Sequence, residues 1–369
     1  MAAGDLATAA RLLEQACEAQ PDDASLWIRL AAVHRGSGNA EAALGAAESA
    51  LAAAPLDFTA LVMRASLLER LNRPNAAEAW GHALAQKPDA PLPPQMVQVV
   101  ERGAALHGAW LDAREARLEK AAKASESRAS GEERARIERF RSNSLRRTRH
   151  FHSKPTRFHF PELTEREYHP RRLFPWLEEL EAATEALTEE LETVMSAERA
   201  ELVPYVQYDE HMPLAQWKAL NRNPDWTAIH LLQNGDVVEA NARHCPRAME
   251  LMARMPQPAI RGASPNAMFS LLAPNTSIPA HVGVSNVRLV CHLPLVVPEG
   301  CWFRVGAETR HWKRGEAFVF DDTIEHEALN PSDQLRVVFI FDVWNPELTQ
   351  IEREAVAAMI GTEAEPATA

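Results

Sequence analysis

Residues 281–301 read HVGVSNVRLVCHLPLVVPEGC, and residues 315–349 read GEAFVFDDTIEHEALNPSDQLRVVFIFDVWNPELT. Short β-branched and aromatic runs at 287–290, 293–297, 302–305, 317–320 and 336–341 alternate with Gly, Pro, Asn and Asp, the residues that turns require. Short strands at this spacing predict a sandwich or jelly roll, not a sheet interleaved with helices. Two histidines, His281 and His326, fall in separate strand-like segments. A small barrel of this kind can hold one metal near its open end, with a histidine from each of two strands.

The rest of the chain frames that region. At 369 residues, 46% apolar and 24% charged, it has room for two domains and a connection. A net charge of -12 argues against a general nucleic-acid binder, whose footprint is basic. The opening MAAGDLATAARLLEQ lacks the basic start and apolar run of a signal peptide, and no stretch of 18 apolar residues predicts a membrane span. Cys17, Cys245, Cys291 and Cys301 are scattered without CxxC spacing. A disulfide framework is therefore not expected, and a reducing, cytoplasmic setting is.

Residues 1–90 repeat. Gly4-Asp5, Gly38-Asn39 and Asn72-Arg73 recur every 34 positions, and Pro21, Pro55 and Pro88 follow at 34 and 33. Ala16 and Ala50, and Trp27 and Leu61, take equivalent places in Ala- and Leu-rich stretches. The period resembles tetratricopeptide repeats, about two and a half units, and implies a concave face for peptides or proteins. Residues 91–150 begin with a Pro-rich break and continue as a charged helix over 95–141. They close on a basic segment around Arg146, read as a surface that meets an acidic partner. Residues 151–350 hold the β domain, preceded by one amphipathic helix over 173–199. Residues 351–369 read as a disordered C-terminal tail from about Met359.

Imidazole suits Fe(II), and two such groups from opposite strands converge on one ion. The common non-haem iron triad adds a carboxylate two positions after the first histidine. Gly283 stands there, so the third ligand would be water, a cosubstrate, or a carboxylate such as Asp321 or Asp322.

His281-Val282-Gly283, residues 288–293, Phe320-Asp321-Asp322, Glu325-His326-Glu327, Arg336 and residues 342–349 together resemble the aspartyl/asparaginyl β-hydroxylase family. The resemblance covers roughly residues 139–349 and is densest after Ser270. It implies a double-stranded β-helix, Fe(II), 2-oxoglutarate as cosubstrate, O2, and hydroxylation of a C–H bond. The family also bears glycine in place of the triad carboxylate, and some members have an N-terminal tetratricopeptide array. The whole chain is then α+β and multidomain: an all-α helical repeat followed by a jelly roll with flanking helices.

Carried over by position, His281 and His326 become the iron ligands. Arg336 becomes the partner of the distal 2-oxoglutarate carboxylate, a role that suits a planar, always-charged fork. Ser270 adds a hydroxyl donor to that carboxylate, and His292 bonds the iron-chelating end. Arg288 shares a strand face with Val290 and His292 and contacts substrate or cosubstrate. Trp226 and His230 are assigned to the substrate side, the core or the rim. Val290 replaces an Arg found in members that hydroxylate aspartyl residues, which leaves the substrate open. A protein or peptide side chain, recruited by the repeat array, is the leading expectation. The alternatives are a lipid or small molecule, for which the family has an acyl-chain hydroxylase, and a non-catalytic adaptor with a degenerate β domain.

Overall fold

The computed structural model describes residues 3–197, 202–207, 211, 218 and 221–362. It separates into two compact units, one up to Thr148 and one from Arg149 onward.

The first unit is helical, with helices Ala3–Ala19, Ala24–Gly36, Ala40–Ala53, Phe58–Arg70, Ala76–Ala85 and Pro94–Glu126 stacked in sequence order. The 34-residue period has a local cause. Asp23 and Asp57 each cap the helix that follows them, accepting from the N–H of Ser25 and Ala60. Gly38 and Asn72 take the left-handed turn before the next helix. Fully buried Ala31, Ala43, Ala47, Ala50 and Ala65 let neighbouring helices approach closely. At the end of the array Trp80 packs on Gly103, where a Cβ would lie 2.2 Å from the indole. The charged helix expected over 95–141 is two helices, because Ser130 and Glu133 form a reciprocal cap that starts Gly131–Ser144 afresh. The basic segment is partly neutralised within its own unit: Arg147 meets Asp112 at 2.8 Å and Glu115 at 2.9 Å.

The second unit is built on two antiparallel sheets. Its strands are β1 (Leu202–Pro204), β2 (Trp226–Gln233), β3 (Asp236–Val237), β4 (Ala267–Leu272), β5 (Thr276–His281), β6 (Arg288–Val296), β7 (Trp302–Val305), β8 (Glu308–His311), β9 (Phe318–Phe320), β10 (His326–Asn330) and β11 (Arg336–Trp344). The larger sheet runs β1-β2-β4-β11-β6-β9, with β3 on β2, and the smaller runs β5-β10-β7-β8. Strand alternation gives the larger sheet two distinct faces. Ile229, Phe269, Leu289, Cys291, Leu293, Phe339 and Phe341 pack with Leu177, Leu187, Leu191 and Leu251 of the covering helices. The opposite face, with Trp226, Met268, Val290, Val338 and Ile340, packs on Ile278, Phe303 and Ala328 of the smaller sheet.

Three expectations are corrected. The runs at 287–290 and 293–297 are one strand, β6, because β11 pairs along its whole length. The helix expected over 173–199 is divided into Leu177–Ala182 and Thr184–Ser196, with the Thr184 hydroxyl donating to the Glu181 carbonyl at the break; residues 198–199 lie outside the described residues. The expected tail begins as a helix, Gln350–Thr362, whose Val356 is buried with Ile260, Val287 and Leu348; residues 363–369 lie outside the described residues. No helix among the described residues is long and apolar enough to cross a membrane.

Candidate active site

His281 ends β5 and His326 begins β10, and the two are direct cross-strand partners. Their ring centroids stand 4.1 Å apart. Each Nδ1 lies against a main-chain carbonyl, His281 on Pro279 at 2.8 Å and His326 on Ile324 at 3.0 Å. That contact places the ring proton on Nδ1 and leaves Nε2 as the lone-pair side, the arrangement in which imidazole ligates a metal. Burial holds both rings neutral, lowering His281 to about 3 and His326 to about 4. Among the described residues, no third His, Cys, Asp or Glu completes a ligand cluster with this pair.

Gly283 shows why. A Cβ there would fall 2.2 Å from Oδ2 of Asp322, so the carboxylate fills the space a side chain at 283 would take. Asp322 is held by Arg288 at 3.1 Å, and its Oδ1 is buried without a hydrogen-bond partner among the described residues. Burial raises its pKa against the opposing pull of Arg288 and His281. Its neighbour Asp321 points into a local turn, accepting from the N–H and hydroxyl of Thr323. Burial pushes that carboxyl up to about 7.

A cavity of about 400 Å³ is lined by all six residues singled out in the sequence: Ser270, His281, Arg288, His292, His326 and Arg336. Arg336, only 2% exposed, begins β11 and packs over the Trp312 ring at 5.4 Å. Burial lowers its pKa to about 10, so it stays charged near neutrality, and no carboxylate among the described residues pairs with it. The Ser270 oxygen accepts from the Trp226 indole N–H at 3.1 Å, which leaves its own hydrogen available to donate. His292 is stacked on Trp312 at 5.4 Å; its Nδ1 is buried without a partner among the described residues, and burial depresses its pKa strongly.

Two residues sit differently from their sequence reading or escaped it. Trp226 stands on the Ser270 side, stacked on Tyr205 with centroids 4.0 Å apart. Tyr205 was missed, since one tyrosine beside a short edge strand carries no sequence signal. It lines both the main cavity and an adjoining one of about 390 Å³, which share Arg288, Val290 and Asp322 as well. His230 lines the main cavity, with Nδ1 unpartnered among the described residues. Elsewhere, exposed His150, His152 and Glu165 bring three ligand atoms within 4.8 Å of one another.

Two facing β-sheets with a neutral histidine pair and, in Arg336, a buried cation that pairs with no carboxylate among the described residues define a double-stranded β-helix with a candidate metal-and-anion site. Residues 181–346 match the model of the Aspartyl/Asparaginyl beta-hydroxylase family and residues 1–33 a tetratricopeptide repeat. Over residues 181–346 the chain is thus similar to the aspartyl/asparaginyl β-hydroxylase family, behind a segment similar to a tetratricopeptide repeat. Human aspartate beta-hydroxylase domain-containing protein 2 is 37% identical over 145 residues, 38% of this chain and 39% of its own. Human aspartyl/asparaginyl beta-hydroxylase is 32% identical over 188 residues, 50% of this chain and 24% of its own. Ornithine lipid ester-linked acyl 2-hydroxylase of Rhizobium tropici is 34% identical over 176 residues, 47% of this chain and 58% of its own. The chain therefore spans between about a quarter and three fifths of these relatives.

Proposed function

We propose that this chain is an Fe(II)- and 2-oxoglutarate-dependent dioxygenase that hydroxylates a C–H bond of a protein or peptide side chain. The observation that carries the reading is Arg336. A buried guanidinium with no carboxylate partner among the described residues is costly, and it faces the same cavity as the two histidines. A small dianion that ligates a metal at one end and meets Arg336 at the other satisfies both requirements.

The residues present fit that pair of groups. His281 and His326 would hold the iron through Nε2. Arg336 and the Ser270 hydroxyl would bind the distal carboxylate, and His292, unpartnered at Nδ1, would bond the chelating end. Bound iron supplies oxidative decarboxylation of 2-oxoglutarate by O2, giving succinate and CO2 and coupling this to hydroxylation. The protein's own part is geometric and electrostatic. The main-chain carbonyls fix both imidazole tautomers, and the walls formed by Phe303, Trp312 and Phe320 keep water from the cosubstrate end. Asp322, oriented by Arg288, places an acceptor beside the histidines on the substrate side.

The relative named as a lipid acyl hydroxylase, together with Val290 in place of a second cation, favours a second reading in which the substrate is a lipid or small molecule. The first test needs no substrate. Protein loaded anaerobically with Fe(II) and then exposed to O2 is expected to convert 2-oxoglutarate to succinate, and His281→Ala or His326→Ala to abolish it. Undiminished succinate in either variant would sink the assignment. Absence of both turnover and 2-oxoglutarate binding in the native chain would leave the non-catalytic adaptor. A pull-down on the full chain then separates substrate classes: capture of a peptide or protein that stimulates succinate supports the first reading, and stimulation by acyl lipids alone the second.

A further inference from the structure

Between Arg149 and Ser153, Phe151 is half-buried while His150 and His152 are exposed. Phe151 points inward, against the β-sheet core and under the guanidinium groups of Arg149 and Arg304 at 4.4 and 5.5 Å. His150 and His152 are thereby set on one outer side, with ring centroids 4.2 Å apart. Nδ1 of His150 lies 3.0 Å from Nε2 of His152, and Nδ1 of His152 lies 3.0 Å from Oε2 of Glu165. The Glu165 carboxylate is itself fixed, because its Oε1 accepts from the Ser153 main-chain N–H at 3.2 Å. Two imidazoles two residues apart thus meet a tethered carboxylate from a separate loop.

The geometry points to a second metal site, formed by His150, His152 and Glu165, for a borderline divalent cation of the zinc class. Nitrogen and carboxylate ligands of zinc sit at about 2.0–2.2 Å, so two tetrahedral ligands lie about 3.3 Å apart. The two closest contacts stand at 3.0 Å, and all three ligand atoms lie within 4.8 Å of one another. Admission of the ion requires one His152 contact to open by a few tenths of an ångström and the remaining ligand to close. Without the ion, the three groups form a chain of contacts, His150 Nδ1 with His152 Nε2 and His152 Nδ1 with Glu165 Oε2. The cation takes the place of the bridging proton in that chain, and an imidazole that ligates through Nδ1 carries its ring proton on Nε2 instead, without a net release.

The site is separate from the buried pair but adjoins its support. The Ser153 hydroxyl meets the Thr323 hydroxyl at 2.6 Å, and the Lys154 N–H donates to the Thr323 carbonyl at 2.8 Å, on the loop that leads into His326. A cation at His150, His152 and Glu165 fastens the 149–153 segment that braces that loop.

The test is a chelator-stripped full-length chain titrated with Zn2+, its bound equivalents counted by equilibrium dialysis. Two equivalents are expected. The double variant His150→Ala/His152→Ala is expected to lose one, while His281→Ala/His326→Ala loses the other. Glu165→Gln is expected to retain the surface equivalent at roughly 10- to 100-fold weaker affinity. A surface equivalent that survives His150→Ala/His152→Ala overturns the site, as does a native chain whose count does not fall in that variant. The buried pair is judged separately, by its own double variant.

Discussion

Arg336 illustrates how a side chain that weakens the fold can reveal a ligand. Its charge is carried into the β-core without a carboxylate partner among the described residues, whereas a flexible apolar chain of similar length would avoid that desolvation. Arg336→Met is therefore expected to leave the melting temperature of the ligand-free protein unchanged or raised. The same substitution is expected to weaken 2-oxoglutarate binding by at least about 30-fold, the scale for removing one partner of a buried charge pair. Calorimetric titration and thermal melting check both halves. At Gly283 the direction is opposite. Gly283→Ala drives a methyl into the Asp322 carboxylate and should cost about 1–3 kcal/mol in denaturant unfolding, with loss of turnover as the Arg288 pair shifts. A third consequence concerns acid. His169 is buried, both ring nitrogens lack partners among the described residues, and burial lowers it to about 4 from an ordinary 6.5. The unfolded chain binds this proton first, so stability is lost as pH falls from about 6.5 towards 4. The loss is on the order of 3 kcal/mol for this group, and His169→Phe should flatten that part of the stability–pH curve.

Among elements, the close contact between helices Ala76–Ala85 and Pro94–Glu126 depends on Gly103. Gly103→Ala would push on the Trp80 ring, which also donates to Glu69 at 3.1 Å. A destabilisation of about 1–3 kcal/mol is expected in the helical unit, read by circular dichroism on urea titration. Elements with a strong local pattern are legible in the sequence. The 34-residue period reflects caps and left-handed turns that recur along the chain, and β11 carries the apolar run 337–341 after a segment of turn residues. The six cavity residues are legible because strand alternation and a family pattern together place them. What escapes a sequence reading depends on distant partners. Nothing between 173 and 199 marks the break after Ala182, and Gln350–Thr362 is read as part of a tail because the cover of Val356 comes from the distant Ile260 and Val287. Trp226 takes a side only through the pairing of β2 with β4, which brings its indole to Ser270.

For the whole molecule, the two compact units bear on how ligands should act. The cavity lies within the second unit alone. Saturating Mn2+ with 2-oxoglutarate under anaerobic conditions should therefore raise the calorimetric transition of that unit, by about 2.7 kcal/mol at a hundredfold excess over Kd. The transition of the helical unit should stay in place. A uniform shift of both would show that the units unfold as one.

The two faces of the larger sheet also bear on how such a protein can diversify. Leu289, Cys291 and Leu293 anchor β6 to the helices, while Arg288, Val290 and His292 look the other way, into the cavity. Attachment to the helices and the lining of the cavity are thus written on alternate letters of the same strand. A lineage can exchange valine for arginine at position 290, and so alter the charge of the cavity wall, without touching a residue that keeps the sheet attached to its helices.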